Sequence, residues 1–195
     1  MKQVTMVLAG LAVFGVGLTA GQGQAPAQSP PPAVLPTSTT AEVNTMYNNI
    51  TGFISRSLTM VPADKMTWQP TPDVRTYARM FAHITDDNNG ACAAMAGVTP
   101  NPARVDTGAA GNWAADKMTK ADLEKGLNDS IALCQKAFAS VNQANMMESA
   151  GGRGTRTKIG ALIYNTSHTN EHYGNIVTYM RLNNMVPPST TPRGQ

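Results

Sequence analysis

Apolar side chains recur about every 3.6 residues in four segments of the chain, which is the spacing of amphipathic helices. The segments are Ala41 to Val61, Asp73 to about Gly97, Thr119 to Val141, and Ile159 to Asn184. Thr119 is the expected N-cap of the third helix, and Asp122 stands at the capping-box position. Proline- or glycine-rich stretches separate the segments, and none shows the alternation typical of a strand. The pattern predicts an all-α protein built as a four-helix bundle.

The connection between the second and third helices is longer than a helical hairpin requires. It runs from Val98 to Lys117 and is rich in Pro, Gly, Asn and Asp. An extended chain covers about 3.3 Å per residue, so this segment is long enough to cross the whole bundle. We therefore expect helices 2 and 3 to be parallel, in up-down-down-up order, with helices 2 and 4 antiparallel.

The residues before the first helix have the composition of an export signal followed by a linker. Lys2 precedes an apolar run from Val4 to Ala20, as in a signal peptide. No cysteine near its end could carry a lipid anchor. We expect a signal peptide at 1–25, a disordered Pro/Ser/Thr-rich linker at 26–40, the bundle at 41–188 and a polar tail at 189–195. This predicts a periplasmic or secreted protein without a stable membrane anchor after cleavage.

The charge distribution argues against a nucleic-acid partner. The formal net charge is only +3, and the 15 Lys and Arg residues form no basic stripe interleaved with aromatic side chains. No nucleotide, sugar or phosphate motif is convincing either. A small-molecule partner is expected but not identified, and the pattern does not indicate an oligomeric state.

Cys92 and Cys134 are the two cysteines of the chain. In an oxidising compartment such a pair suggests a disulfide. The alternative is two buried thiols that act as small apolar side chains. Their spacing does not fit a C-x-x-C redox or zinc motif.

The three histidines are the best indication of function. His168 and His172 are four residues apart and so project from one face of one helix. His83 lies near the middle of the second predicted helix, at the height expected for the pair on an antiparallel fourth helix. Neutral imidazoles that converge in this way bind Zn²⁺, Ni²⁺ and other divalent metals. The alternative is a set of structural histidines.

Acids and tyrosines near the histidines are further candidates. Asp87 shares the face of His83, and Asp86 lies close; we interpret Asp87 as an outer carboxylate or a general base, against a surface acid with no role. Glu171 is expected to point away from the pair. Tyr164 and Tyr179 could line a pocket, but core packing is favoured for both.

Several segments resemble the DinB/YfiT-like superfamily of metal-binding bundles. They are Trp68-x-Pro70, Arg75-Thr76, Ala82-His83-Ile84, His168 through Gly174, Tyr179 through Arg181, and Pro187-Pro188. The resemblance covers roughly Thr40 to Ser189. It implies an up-down-down-up bundle with a divalent metal, often Zn²⁺ or Ni²⁺, on His83, His168 and His172. Characterised members include transferases and isomerases that use low-molecular-weight thiols, whereas an exported chain would lack cytosolic thiols.

These observations leave three hypotheses for function. The first is an exported metal-dependent hydrolase or transferase of unknown substrate, in which a three-histidine site keeps an open coordination position and Asp87 acts as base. The second is a non-catalytic exported metal-binding or stress-related protein. The third is a disulfide-stapled interaction protein whose histidines are vestigial.

Overall fold

The computed structural model describes residues 35–99, 105–106, 113–151 and 155–190. All of them belong to one unit that extends from Leu35 to Gln195. The expected signal peptide at 1–25, most of the expected linker and residues 191–195 of the tail lie outside the described residues. The domain boundaries expected from the sequence therefore stay predictions.

The described part of the chain contains four α-helices, as predicted, and no strand. They are α1 (Thr39–Met60), α2 (Tyr77–Cys92), α3 (Lys120–Ser140) and α4 (Lys158–Leu182). Each begins after a Ser or Thr whose hydroxyl accepts a backbone N–H of the first turn; these caps are Ser38, Thr76, Thr119 and Thr157. Thr119 and Asp122 form the reciprocal capping box expected from the sequence. None of the helices described is long and apolar enough to span a bilayer.

The second helix is shorter than the predicted range of Asp73 to Gly97. The backbone of Thr76 is extended, and its hydroxyl caps the N–H of Arg79, so the helix begins only at Tyr77. At the other end the helix stops at Cys92, and the chain turns until Gly97, whose φ of 70° is readily available to glycine. Some of these flanking residues, among them Thr76, Ala93 and Met95, are buried without being helical, which extended the apparent periodicity.

The helices pack in four pairs: α2 against α3 and α4, and α1 against α3 and α4. One cluster of buried apolar residues surrounds Phe81 and Ile176, and a second surrounds Tyr47 and Leu162. Trp68 packs edge-on against the ring of Tyr179, which holds the segment after α1 against α4.

Buried polar side chains join three helices between these apolar clusters. The side-chain amide of Asn88 in α2 donates to the Ser130 hydroxyl of α3 over 3.1 Å. The oxygen of the same amide accepts from the side chain of Asn165 in α4 over 2.9 Å. All three side chains are buried, so their amide and hydroxyl groups need these partners to offset lost hydration. The network fixes the relative height of α2, α3 and α4.

A disulfide joins Cys92 at the end of α2 to Cys134 in α3. Both cysteines are fully buried. The bond lies beside the polar network, since the amide of Asn165 lies 3.8 Å from Cys134 Sγ. It covalently closes the part of the chain that contains the α2–α3 connection.

Removal of the disulfide should lower stability by a measurable amount. For the Cys92→Ala/Cys134→Ala double variant we expect the free energy of unfolding to fall by about 3–4 kcal/mol, because 42 residues separate the cysteines and the open chain gains that loop's entropy. Urea unfolding with and without reductant measures it. A wild-type protein equally stable in both conditions would contradict the prediction.

Candidate metal centre

The three histidines lie side by side between α2 and α4. The ring centroids of His83 and His172 are 4.7 Å apart, and those of His83 and His168 are 5.5 Å apart. His168 and His172 have centroids 4.4 Å apart, as one helical turn requires. The structure therefore brings together every histidine that the sequence indicated.

Asp87 belongs to the same group. Its Oδ2 lies 3.0 Å from His83 Nε2 and 3.2 Å from His168 Nδ1. One donor atom from each of the four side chains can be chosen such that all lie within 4.8 Å of one another. The sequence suggested an outer-shell role for Asp87. Its carboxylate lies closer to the imidazoles than that role requires, because it faces the point on which they converge.

The donor set has the chemistry and spacing of a divalent-metal site. Ligands at about 2.0–2.1 Å from a tetrahedral ion stand roughly 3.3 Å from each other. The Nε2 atoms of His168 and His172 are 3.0 Å apart, and Asp87 Oδ2 lies 3.0 Å from His83 Nε2. Imidazole and carboxylate donors are those that Zn²⁺ and Ni²⁺ accept. The residues present thus fit such an ion.

The four side chains differ in their access to solvent. His172 is only 5% exposed, whereas the side chains of His168 and Asp87 are 22% and 23% exposed. The site is therefore anchored in the core on one side and reaches the surface on the other. The solvent-facing side of the cluster is the side of His168 and Asp87.

Burial and neighbouring charge change the proton affinities of two histidines in opposite directions. Burial lowers the pKa of His172 to about 4, and the other two imidazoles add to the effect. Burial also acts to lower the pKa of His83, but hydrogen bonds to Asp106 and Asp87 outweigh it and raise that pKa. His172 is thus held in the neutral form that metal coordination requires.

Asp106 and Arg75 adjoin the site, although the sequence reasoning did not select Asp106. Asp106 Oδ2 lies 3.3 Å from His83 Nδ1 and accepts a hydrogen bond from Arg75 Nε over 3.0 Å. His83 and Arg75 lower the pKa of this carboxyl, against the effect of its burial. Asp106 is part of the α2–α3 connection, where no periodic pattern indicates which side chain faces inward.

Of the other candidates, one tyrosine lies beside the site and the remaining residues do not join it. Tyr164 is 49% exposed and stacks on His168 with centroids 5.7 Å apart, so the favoured assignment to the core was wrong. Tyr179 is buried, and its hydroxyl donates to the carbonyl of Arg75. Glu171 is exposed on α4, which agrees with the expectation that it points away. Asp86 is buried and contacts the α2–α3 connection instead.

A sequence model of the DinB superfamily matches residues 54–176. This range covers more than half of the chain and contains all three histidines together with Asp87. No curated protein matches the chain significantly.

The opposite pKa shifts predict a distinctive titration of the metal-free protein. We expect His172 to titrate near a pKa of about 4 and His83 above its usual value of 6.5. A lowered folded-state pKa means that the unfolded chain binds the proton more tightly. The contribution of His172 to stability is therefore complete above pH 6.5 and lost as the pH falls through 4. His83 acts oppositely, since its contribution is complete below pH 6.5 and is lost as the pH rises through its raised pKa.

Two-dimensional NMR of the imidazole resonances, recorded in the presence of a chelator, measures both values. The His172→Gln variant assigns the low-pKa resonance. A His172 resonance that titrates above pH 6 would contradict the prediction.

Proposed function

This chain belongs to the DinB superfamily, and from that premise we propose that it binds a divalent metal ion, Zn²⁺ or Ni²⁺, through His83, His168 and His172. The observation that carries the proposal is the convergence of three imidazoles and one carboxylate from two helices. The Nε2 atoms of His168 and His172 are 3.0 Å apart, which suits two ligands of one ion as well as a hydrogen bond between the rings.

We further propose that the protein is a metal-dependent hydrolase or transferase that acts on a small molecule. A bound ion would polarise a substrate oxygen and lower the pKa of a coordinated water or thiol. Among the chain's own residues, His172 is buried, Asp87 places a carboxylate on the solvent-facing side, and Tyr164 provides an exposed aromatic ring. Asp87 Oδ2 is placed to accept a proton there, which is the role of a general base.

A non-catalytic metal-binding protein is the second candidate, and one observation favours it. Asp87 Oδ2 lies 3.0 Å from His83 Nε2, as close as a fourth ligand would. Three histidines and an aspartate would complete a tetrahedral site and leave no position for substrate. The role of Asp87 thus separates the two candidates.

We propose export as the setting for either function. The apolar run from Val4 to Ala20 supports a signal peptide at 1–25. The Cys92–Cys134 disulfide supports it independently, because such bonds persist mainly in oxidising compartments. A periplasmic or secreted protein with no nucleic-acid partner and no stable membrane anchor is the consistent picture.

We also infer the up-down-down-up order of the helices. Thr85 approaches Gly126 and Cys92 is bonded to Cys134, so residue numbers rise together along α2 and α3. Along α2 and α4 the residue numbers instead run in opposite directions. His83 lies beside His168 and His172, whereas Asn88, which comes later in α2, pairs with the earlier Asn165. Parallel α2 and α3 with an antiparallel α4 account for these pairs, and the long α2–α3 connection accommodates them.

Metal binding is tested directly by elemental analysis of the purified protein. We expect one divalent ion per chain in the wild type and loss of that ion in His83→Ala, because three imidazoles share the coordination. The loss of affinity should exceed the roughly 10–100-fold effect of removing an outer-shell partner. Glu171→Gln is the matched control, since this residue lies on α4 between the histidines but is exposed. Equal metal content in wild type and His83→Ala would refute the proposal.

The role of Asp87 is tested with the Co²⁺-loaded protein. If the ion keeps an open position, added azide or a small thiol should change the visible absorption spectrum, and Asp87→Asn should retain the three-histidine site. If Asp87 is a ligand, the wild-type spectrum should stay the same when azide or the thiol is added. The Asp87→Asn substitution should then change the spectrum in the absence of both additives. The second result would reject the enzyme in favour of the metal-binding protein.

A further inference from the structure

His83 lies between two carboxylates that come from different parts of the chain. Its Nε2 faces Asp87 and the metal donors, with Asp87 Oδ2 at 3.0 Å, while its Nδ1 faces Asp106 Oδ2 at 3.3 Å. We infer that Asp106 is the positioning residue of the centre. It accepts a hydrogen bond from the Nδ1–H group of His83 and so directs Nε2 at the metal. This inference rests on the proposed metal site.

Asp106 is held firmly enough to serve this purpose. Its side chain is only 4% exposed, and it lies between the guanidinium groups of Arg75, with Nε at 3.0 Å, and Arg79, with Nε at 3.6 Å. Contacts with two cationic groups hold the buried carboxylate in place beside His83. Arg79 in turn packs under the ring of Trp113, which belongs to the same connection.

The backbone of Asp106 is fixed by the helix that also carries His83. The carboxylate of Asp86 accepts the N–H of Val105 over 2.9 Å and the N–H of Asp106 over 2.8 Å. Asp86 is buried and lies three residues after His83, about one helical turn away. Helix α2 therefore carries His83 and also Asp86, the residue that holds Asp106 beside His83.

The chemistry of His83 Nδ1 requires an acceptor at this point. When Nε2 coordinates an ion, the remaining proton must reside on Nδ1 and needs a hydrogen-bond acceptor. Arg75 Nη2 also lies 3.3 Å from Nδ1, but a guanidinium only donates. Asp106 is thus the group that can accept this proton.

Within the part of the chain that the structure describes, His83 is the histidine that Asp106 contacts. Among the described residues, His172 Nδ1 has no hydrogen-bonding partner, and His168 Nδ1 faces Asp87 within the donor cluster. The effect of Asp106 should therefore be specific to His83. This specificity distinguishes positioning from a general contribution of the Arg75–Asp106 pair to folding.

The test combines affinity with the tautomer of His83 in the Zn²⁺-loaded protein. For the wild type, we expect ¹⁵N NMR to show His83 protonated at Nδ1, with that proton shifted downfield by a carboxylate acceptor. Asp106→Ala should weaken Zn²⁺ binding by roughly 10–100-fold in chelator competition. Asp106→Asn should lose less, because its amide oxygen still accepts the proton.

Asp116→Asn is the matched control. Asp116 lies on the same connection and accepts a hydrogen bond from the Thr76 hydroxyl of the α2 cap, and no histidine contact found among the described residues involves it. The Asp116→Asn variant should be slightly less stable than the wild type and should leave the Zn²⁺ affinity and the resonance of the His83 Nδ1 proton unchanged. The Asp106 variants should move the His83 resonances while those of His168 and His172 stay close to their wild-type positions.

The outcomes separate this inference from the proposed function. A wild type that binds no metal refutes the proposed function itself. A wild type that binds Zn²⁺ with His83 protonated at Nε2 overturns the inference but leaves the metal site standing, and needs no variant to fold. Equal losses of affinity in Asp106→Ala and Asp116→Asn would also overturn it, because a structural effect of the connection would then suffice.

Discussion

The register between α2 and α4 is the constraint on which the candidate centre depends. Two hydrogen bonds fix this register, one on each side of the histidines. Asn165 donates to Asn88 over 2.9 Å toward one end, and the Tyr179 hydroxyl donates to the Arg75 carbonyl over 3.0 Å toward the other. A slide of one helix by a single turn is about 5.4 Å, which exceeds every separation between the donor atoms. The two hydrogen bonds therefore favour the register in which the donors meet.

This arrangement explains why so many polar groups are buried near the middle of a small bundle. Asn88, Ser130 and Asn165 would destabilise the core if they lacked partners, and together they satisfy each other. A purely apolar interior would tolerate several helix registers, since its contacts are not directional. The polar network accepts one register, and that register is the one in which the three imidazoles meet.

Much of this could be predicted from the sequence, for a physical reason. Helical periodicity and Ser or Thr caps are local signals, and the capping box at Thr119 was identified from four residues. The His168/His172 spacing likewise defines a shared face without any knowledge of the fold. Asp106 could not be found in this way, because its place in the site depends on how an irregular connection folds back onto Asp86. The exposed stack of Tyr164 on His168 was also missed, since periodicity gives the face of a side chain but not the width of the opening beside it.

The disulfide has a consequence for the integrity of the chain. Because Cys92 and Cys134 bracket the whole α2–α3 connection, a protease that cuts the backbone between them leaves a single covalent molecule. The N-terminal fragment would carry His83 and Asp87, the C-terminal fragment would carry His168 and His172, and the bond would keep them at a high effective concentration. Such a nicked protein would retain both halves of the candidate donor set in one molecule.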